Sequence, residues 1–144
     1  MPENEKTKEE KLQRKFMEFQ VMEQQIKQLE STLQNLDLQL VEIKNMQSAV
    51  KEMEKIENNS ETLVPVVNGI FVKGTIKESK TMLVNVGSTI IVDKTVEETV
   101  DLLEKQVTKL NSMRQQFLSE LQRMTDKMGS MEIELQDIVS EKVQ

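Results

Sequence analysis

The sequence predicts a mainly α protein with a small β insert: a long antiparallel coiled-coil hairpin with two β-hairpins between its helices. Three observations lead there. Apolar residues in both outer thirds of the 144-residue chain recur at alternating steps of three and four, the spacing of a coiled-coil seam. Gly and Pro are scarce, and Pro65, Gly69, Gly74 and Gly87 crowd into one short stretch, leaving only Pro2 and Gly129 elsewhere. That same stretch is rich in β-branched residues bounded by tight-turn dipeptides.

The first helix is expected over residues 9–57, after a polar start at 1–8 that is expected to be disordered. Its seam runs Phe19, Met22, Ile26, Leu29, Leu33, Leu36, Leu40 and Ile43, extending back to Phe16 and Leu12 and forward through Met46, Val50 and Met53. Near Gln47 the strict register places a polar residue on the seam while Met46 sits one position early. A local slip and a polar register marker explain this equally well.

The β insert is expected over 58–94. Leu63–Val67 and Ile70–Ile76 flank Asn68-Gly69, the signature of a type I′ hairpin turn. Thr81–Val86 and Thr89–Val92 flank Gly87-Ser88, which fits a type II′ turn. Pro65 points to an edge strand or a strand start. Asn58-Asn59-Ser60 matches a glycosylation sequon, read here as chance in a polar linker because no secretory signal precedes it.

The second helix is expected over 95–142. Thr95 and Glu98 form a capping-box pattern at its start. Val96, Val100, Leu103, Val107, Leu110, Arg114, Phe117, Leu121, Met124, Met128, Met131, Leu135 and Ile138 keep the 4-3 alternation, and only Arg114 interrupts it. Each helix would span about 70 Å. In an antiparallel hairpin, paired residue numbers sum to a constant near 151–153, so Arg114 is expected to meet Asp37. Gly129 lies off the seam and marks a weak point where the helix would fray.

Composition excludes several kinds of function. His and Cys are absent, which removes thiolate and imidazole catalysis, disulfides and nitrogen- or sulfur-ligated zinc. No Gly-rich phosphate loop or nucleophile elbow is present, so the chain is not expected to be an enzyme and no cofactor is expected. A net charge of −6 argues against nucleic acid or an anionic membrane as partner. No apolar run is long enough to span a membrane, and a soluble, cytoplasmic protein is expected.

About thirty residues of sheet offer little core, and unpaired strand edges invite another chain. The strands are therefore expected to drive assembly. Their apolar residues Val66, Ile70, Val72 and Ile76 in the first hairpin, with Val84, Val86, Ile90 and Val92 in the second, form the expected oligomerisation surface. At the far end of the arms the two chain ends bring surplus apolar residues together. Met17, Val21, Ile133 and Val139 lie off the seam there, as do Leu38, Val41, Leu102 and Leu118 further along.

Val64-Pro65-Val66-Val67, Phe71-Val72-Lys73-Gly74, Val84-Asn85-Val86-Gly87 and the helix start Lys94-Thr95-Val96-Glu97-Glu98, set between two coiled-coil arms, resemble the α-class prefoldin subunit. The resemblance covers essentially the whole chain, with the paired hairpins its specific part. It implies a co-chaperone that works without nucleotide, in a hexamer of two α-class and four β-class subunits. Hairpins would build a double β-barrel from which six arms hang. Apolar arm tips would capture unfolded client proteins and deliver them to a group II chaperonin. By location, the resemblance assigns client binding to Leu12, Phe16, Phe19, Met128, Met131 and Leu135. The competing expectation is a structural, self-assembling homo-oligomer or filament, as some α-like relatives form.

Overall fold

A computed structural model describes residues 2–143, with side chains described from residue 5 to residue 140. The order is α1 (Pro2–Met53), β1 (Ser60–Val67), β2 (Ile70–Ile76), β3 (Thr81–Gly87), β4 (Ile90–Thr95) and α2 (Val96–Val143). The expected disordered start is instead part of α1, with Met1 outside the described residues. Proline is tolerated in the first helical turn, where its missing N–H has no partner to lose. The following residues contain no further Gly or Pro to break the helix.

The chain divides into two compact units. The first holds residues 1–38 and 111–144. In it α1 and α2 pair antiparallel, as the Asp37–Arg114 and Lys15–Glu134 ion pairs require. Arg114 Nε donates to Asp37 Oδ1 at 2.7 Å, the pairing that the heptad arithmetic predicts. The guanidinium reaches water while its stem covers the seam, so this partly exposed pair specifies register and adds little stability. Leu33, Leu36 and Met131 are the buried core of this unit. All α2 seam positions here, from Arg114 to Ile138, are at least half-buried.

The second unit, residues 39–110, carries the hairpins. Leu40, Val96, Leu103 and Val107 are its buried apolar residues. The ambiguity near Gln47 resolves in favour of a polar marker. Met46 is exposed, whereas Gln47 is half-buried and its Nε2 donates to Glu104 Oε2 at 2.8 Å and to the Val100 carbonyl at 3.4 Å. An amide on a seam fixes register when its donors find partners.

At the end of α1 the last turn tightens, with Lys55 N–H donating to the Glu52 carbonyl and Ile56 N–H to the Met53 carbonyl. Asn59 adopts a φ of 65°, one of the few residue types that do so readily. Its N–H donates to the Ile76 carbonyl at 2.6 Å. Ser79, in the turn between β2 and β3, is buried. Its hydroxyl donates to the Ile56 carbonyl at 2.6 Å, and its N–H to Asn58 Oδ1 at 3.3 Å. The Asn-Asn-Ser tripeptide is thus the joint between helix and hairpins, a use that explains its polarity.

β1 pairs with β2 and β3 with β4, giving two separate antiparallel two-stranded sheets. Their registers coincide at an offset of twenty residues: Val64↔Val72 corresponds to Val84↔Val92, and Val67↔Ile70 to Gly87↔Ile90. Each has its irregularity at the same place, between Pro65 and Val67 and between Asn85 and Gly87. The hairpins are therefore a structural repeat.

Both turn types differ from expectation. In the first, Gly69 has a φ of 81° but Asn68 does not have a positive φ. A type I′ turn needs both, so the left-handed Gly69 works instead with the adjacent register shift. In the second, Gly87 is the last residue of β3, and Ser88 and Thr89 turn with φ of 46° and 65°, the I′ pattern rather than II′. A β-branched residue at positive φ is strained. Replacing Thr89 with Gly, the residue its counterpart Gly69 already has, is expected to raise stability by about 1 kcal/mol, read as a higher denaturant midpoint.

Thr95 caps α2, but Glu98 reaches back to the Thr95 hydroxyl and not to its backbone N–H, so half of the expected capping box forms. Glu98 N–H donates to Thr95 Oγ1 at 3.1 Å, and that hydroxyl donates to Glu98 Oε1 at 3.2 Å. Gly129 lies inside a continuous α2, and a side chain added there would meet nothing within 4 Å. Gly129→Ala is expected to stabilise by about 0.5–1 kcal/mol, measured by thermal unfolding, and to slow amide exchange beyond Met128.

Candidate functional site

In the unit that holds both chain ends, strict 3-4 alternation decides which side chains face the partner helix. Counting back from Met22 and Phe19, the next step must be four, which reaches Lys15 and not Phe16. Lys15 is half-buried, and its Nζ donates to Glu134 Oε2 at 2.5 Å. Phe16, assigned to the seam from its hydrophobicity, turns outward and is 52% exposed. A shift of one residue rotates a side chain by about 100° around the helix.

This displacement creates a surface. Leu12, Phe16, Met17, Phe19, Leu135 and Val139 line an open groove of about 790 Å³, with Gln13, Glu132 and Gln136 at its edge. A second groove, of about 500 Å³, is lined by Met17, Val21, Met22 and Met131, with Arg14, Glu18, Gln25 and Lys127 around them. Met17, 65% exposed, lines both grooves. Thioether and aromatic side chains of this kind adapt to partners of varied shape.

The six residues assigned by location separate into three groups. Leu12, Phe16, Phe19 and Leu135 share the larger groove. Met131 lines the smaller one but is only 8% exposed, so it is chiefly core. Met128 is half-buried and lines neither groove. Met17 and Val139 were passed over as site residues. Their signal was available, because an apolar side chain off the heptad seam has no place in a two-helix core.

The hairpins carry a second apolar surface. Val66, Ile70, Val72, Val86, Ile90 and Val92 are exposed, while Ile76 and Val84 are half-buried. Residues of the opposite alternation are exposed too: Leu63, Phe71, Leu83 and Ile91. Leu83 reaches 71% exposure. Each two-stranded sheet thus shows apolar side chains on both faces and free strand edges, a surface that invites another chain to cover it.

Among the described residues no group of acidic side chains could hold a metal ion, and no helix is long and apolar enough to cross a membrane. What the geometry offers is apolar contact: open grooves in one unit and uncovered sheets in the other.

Comparison with known proteins gives a consistent result. The family model described as Prefoldin subunit matches residues 22–141. Prefoldin subunit alpha from Methanococcus vannielii is 27% identical over 127 residues, covering 88% of this chain and 85% of that protein. Prefoldin subunit alpha from Pyrococcus horikoshii is 27% identical over 128 residues, covering 88% and 86%. Prefoldin subunit alpha 1 from Methanocaldococcus jannaschii is 29% identical over 127 residues, covering 88% and 87%. Among solved structures, filamentous PFD from Methanocaldococcus jannaschii matches with a TM-score of 0.72 and 20% identity, over 81% of this chain and 96% of that one.

Proposed function

The chain belongs to the prefoldin family as an α-class subunit, and from that premise we propose that it is an ATP-independent holdase that captures unfolded proteins and delivers them to a group II chaperonin. Capture uses the apolar grooves beside Met17, in the unit that holds both chain ends. The observation that carries this reading is the exposure of Phe16, Met17 and Val139 around an apolar groove. Such a surface has no structural use within the helix pair, and it suits transient contact with exposed apolar segments.

The hairpins supply assembly. Two repeated sheets with uncovered faces fit insertion beside β-class subunits, in a hexamer of two α-class and four β-class chains working in the cytoplasm. A second reading is self-assembly through the same sheets. It is favoured by the likeness in fold to a protein solved as a filament, and by the hairpin repeat, which offers each copy two equivalent docking edges. Native mass measurement of the purified chain, alone and with a β-class subunit, separates the two.

The test of function is light scattering of a chemically denatured protein diluted into buffer without nucleotide. The assembled protein is expected to suppress aggregation at near-stoichiometric ratios. An assembled protein that leaves aggregation unchanged overturns the holdase reading.

A further inference from the structure

We propose that Met17 is an oxidation site for hydrogen peroxide and organic hydroperoxides, and that its conversion to the sulfoxide turns capture off. The inference rests on the capture surface proposed above. The chain has ten methionines and no cysteine, so thioether sulfur is its only readily oxidised group. Nine of those methionines have described side chains. Met17 is the most exposed at 65%, ahead of Met46 at 47% and Met113 at 37%. Met22, Met53, Met82, Met124 and Met128 are half-buried, and Met131 is buried.

Exposure sets the rate at which peroxide reaches sulfur, and position sets the consequence. Met17 alone lines both apolar grooves. The other two exposed methionines, Met46 and Met113, line neither. In the reaction the thioether sulfur attacks one peroxide oxygen and the O–O bond breaks. A sulfur–oxygen bond forms, and water leaves, or an alcohol when a hydroperoxide reacts. Sulfur is oxidised by two electrons and the peroxide is reduced by two. The product places a strongly polar S=O group where both grooves present apolar surface, and an apolar segment docking there would bury it without a donor. The change is reversible by methionine sulfoxide reductases.

The experiment treats the full-length assembled protein with hydrogen peroxide and follows each methionine by peptide mass spectrometry, with client binding read by fluorescence anisotropy of a labelled denatured protein. Met17 is expected to oxidise first among the described methionines. Binding is expected to weaken roughly five- to ten-fold in step with it, and to recover after reductase treatment. Met17→Leu, compared with its own binding before treatment, is expected to keep that binding through peroxide. Met46→Leu is expected to lose binding as the parent does. Oxidation of Met46 or Met113 ahead of Met17 overturns the proposal, as does equal loss of binding in peroxide-treated Met17→Leu. Absence of binding before any oxidation contradicts the capture reading instead, and the order of oxidation still reports on Met17.

Discussion

A chain carrying Val72→Lys and Val92→Lys is expected to keep its helices and lose its assembly. The two positions are equivalent in the hairpin repeat, paired with Val64 and Val84 respectively. Both are exposed in the single chain, so a lysine there loses one cross-strand apolar pair, worth about 0.2–1 kcal/mol, while its ammonium stays hydrated. In an assembly that covers these faces, each ammonium would lose water without gaining a partner. That costs several kcal/mol, enough to weaken association by roughly a thousand-fold or more. Sedimentation should show a monomer at concentrations where the parent is assembled, with far-UV circular dichroism nearly unchanged. An assembled double-lysine protein would place the contact elsewhere. Because an isolated two-stranded hairpin is marginal in water, the monomer's hairpins should also exchange their amides faster than the helix interiors.

Replacing Phe16, Met17 and Val139 together with Ser is expected to reduce client binding at least about ten-fold with little effect on stability. All three side chains are exposed, and surface substitutions of this kind usually change stability by about 0.5 kcal/mol or less each. Met131→Ser gives the instructive contrast. That side chain is buried beside the smaller groove, and removing it should cost about 2–4 kcal/mol. Its effect on binding would then follow from loosening of the helix pair. A thermal-unfolding midpoint measured alongside binding separates the two cases: unchanged for the triple variant, lowered for Met131→Ser.

The architecture was legible because it is written in periodicity. Both helices, both hairpins, the helix cap at Thr95 and the Asp37–Arg114 pairing follow from spacing and turn dipeptides, and the structure has each of them. The seam reading fails at one place and stays open at another. At Lys15 and again at Gln47, strict alternation puts a polar residue on the seam beside an apolar neighbour. Hydrophobicity favours Phe16 at the first, while a slip and a polar marker explain the second equally well. The polar residues can sit there because each finds a partner: Glu134 for Lys15, Glu104 and the Val100 carbonyl for Gln47. Those partners lie far along the chain, so no local pattern announces them.

The same limit hid Ser79. Its burial depends on the Ile56 carbonyl and the Asn58 amide meeting the β2–β3 turn, a closure visible only once the hairpins are in place. The turn types failed for a different reason. Dipeptide preference located the first turn, but in the second Gly87 is the last strand residue at a φ of 129°, which moves the turn one residue on to Ser88-Thr89. The consequence for the site is direct. Counting by strict alternation would have released Phe16 to the surface and joined it to Met17 and Val139 as one apolar patch.

The measurement closest to the central claim is site-specific photo-crosslinking of the assembled protein with a denatured client. A photoreactive residue is placed in turn at Phe16, Met17 and Val139, and at Leu83 and Ile91 in the second hairpin. Crosslinks to client are predicted from the first three positions, and crosslinks to neighbouring subunits from the last two. Client captured equally from the hairpin positions, or not at all from Phe16 and Met17, would contradict the division of the chain into a capturing helical unit and an assembling β unit.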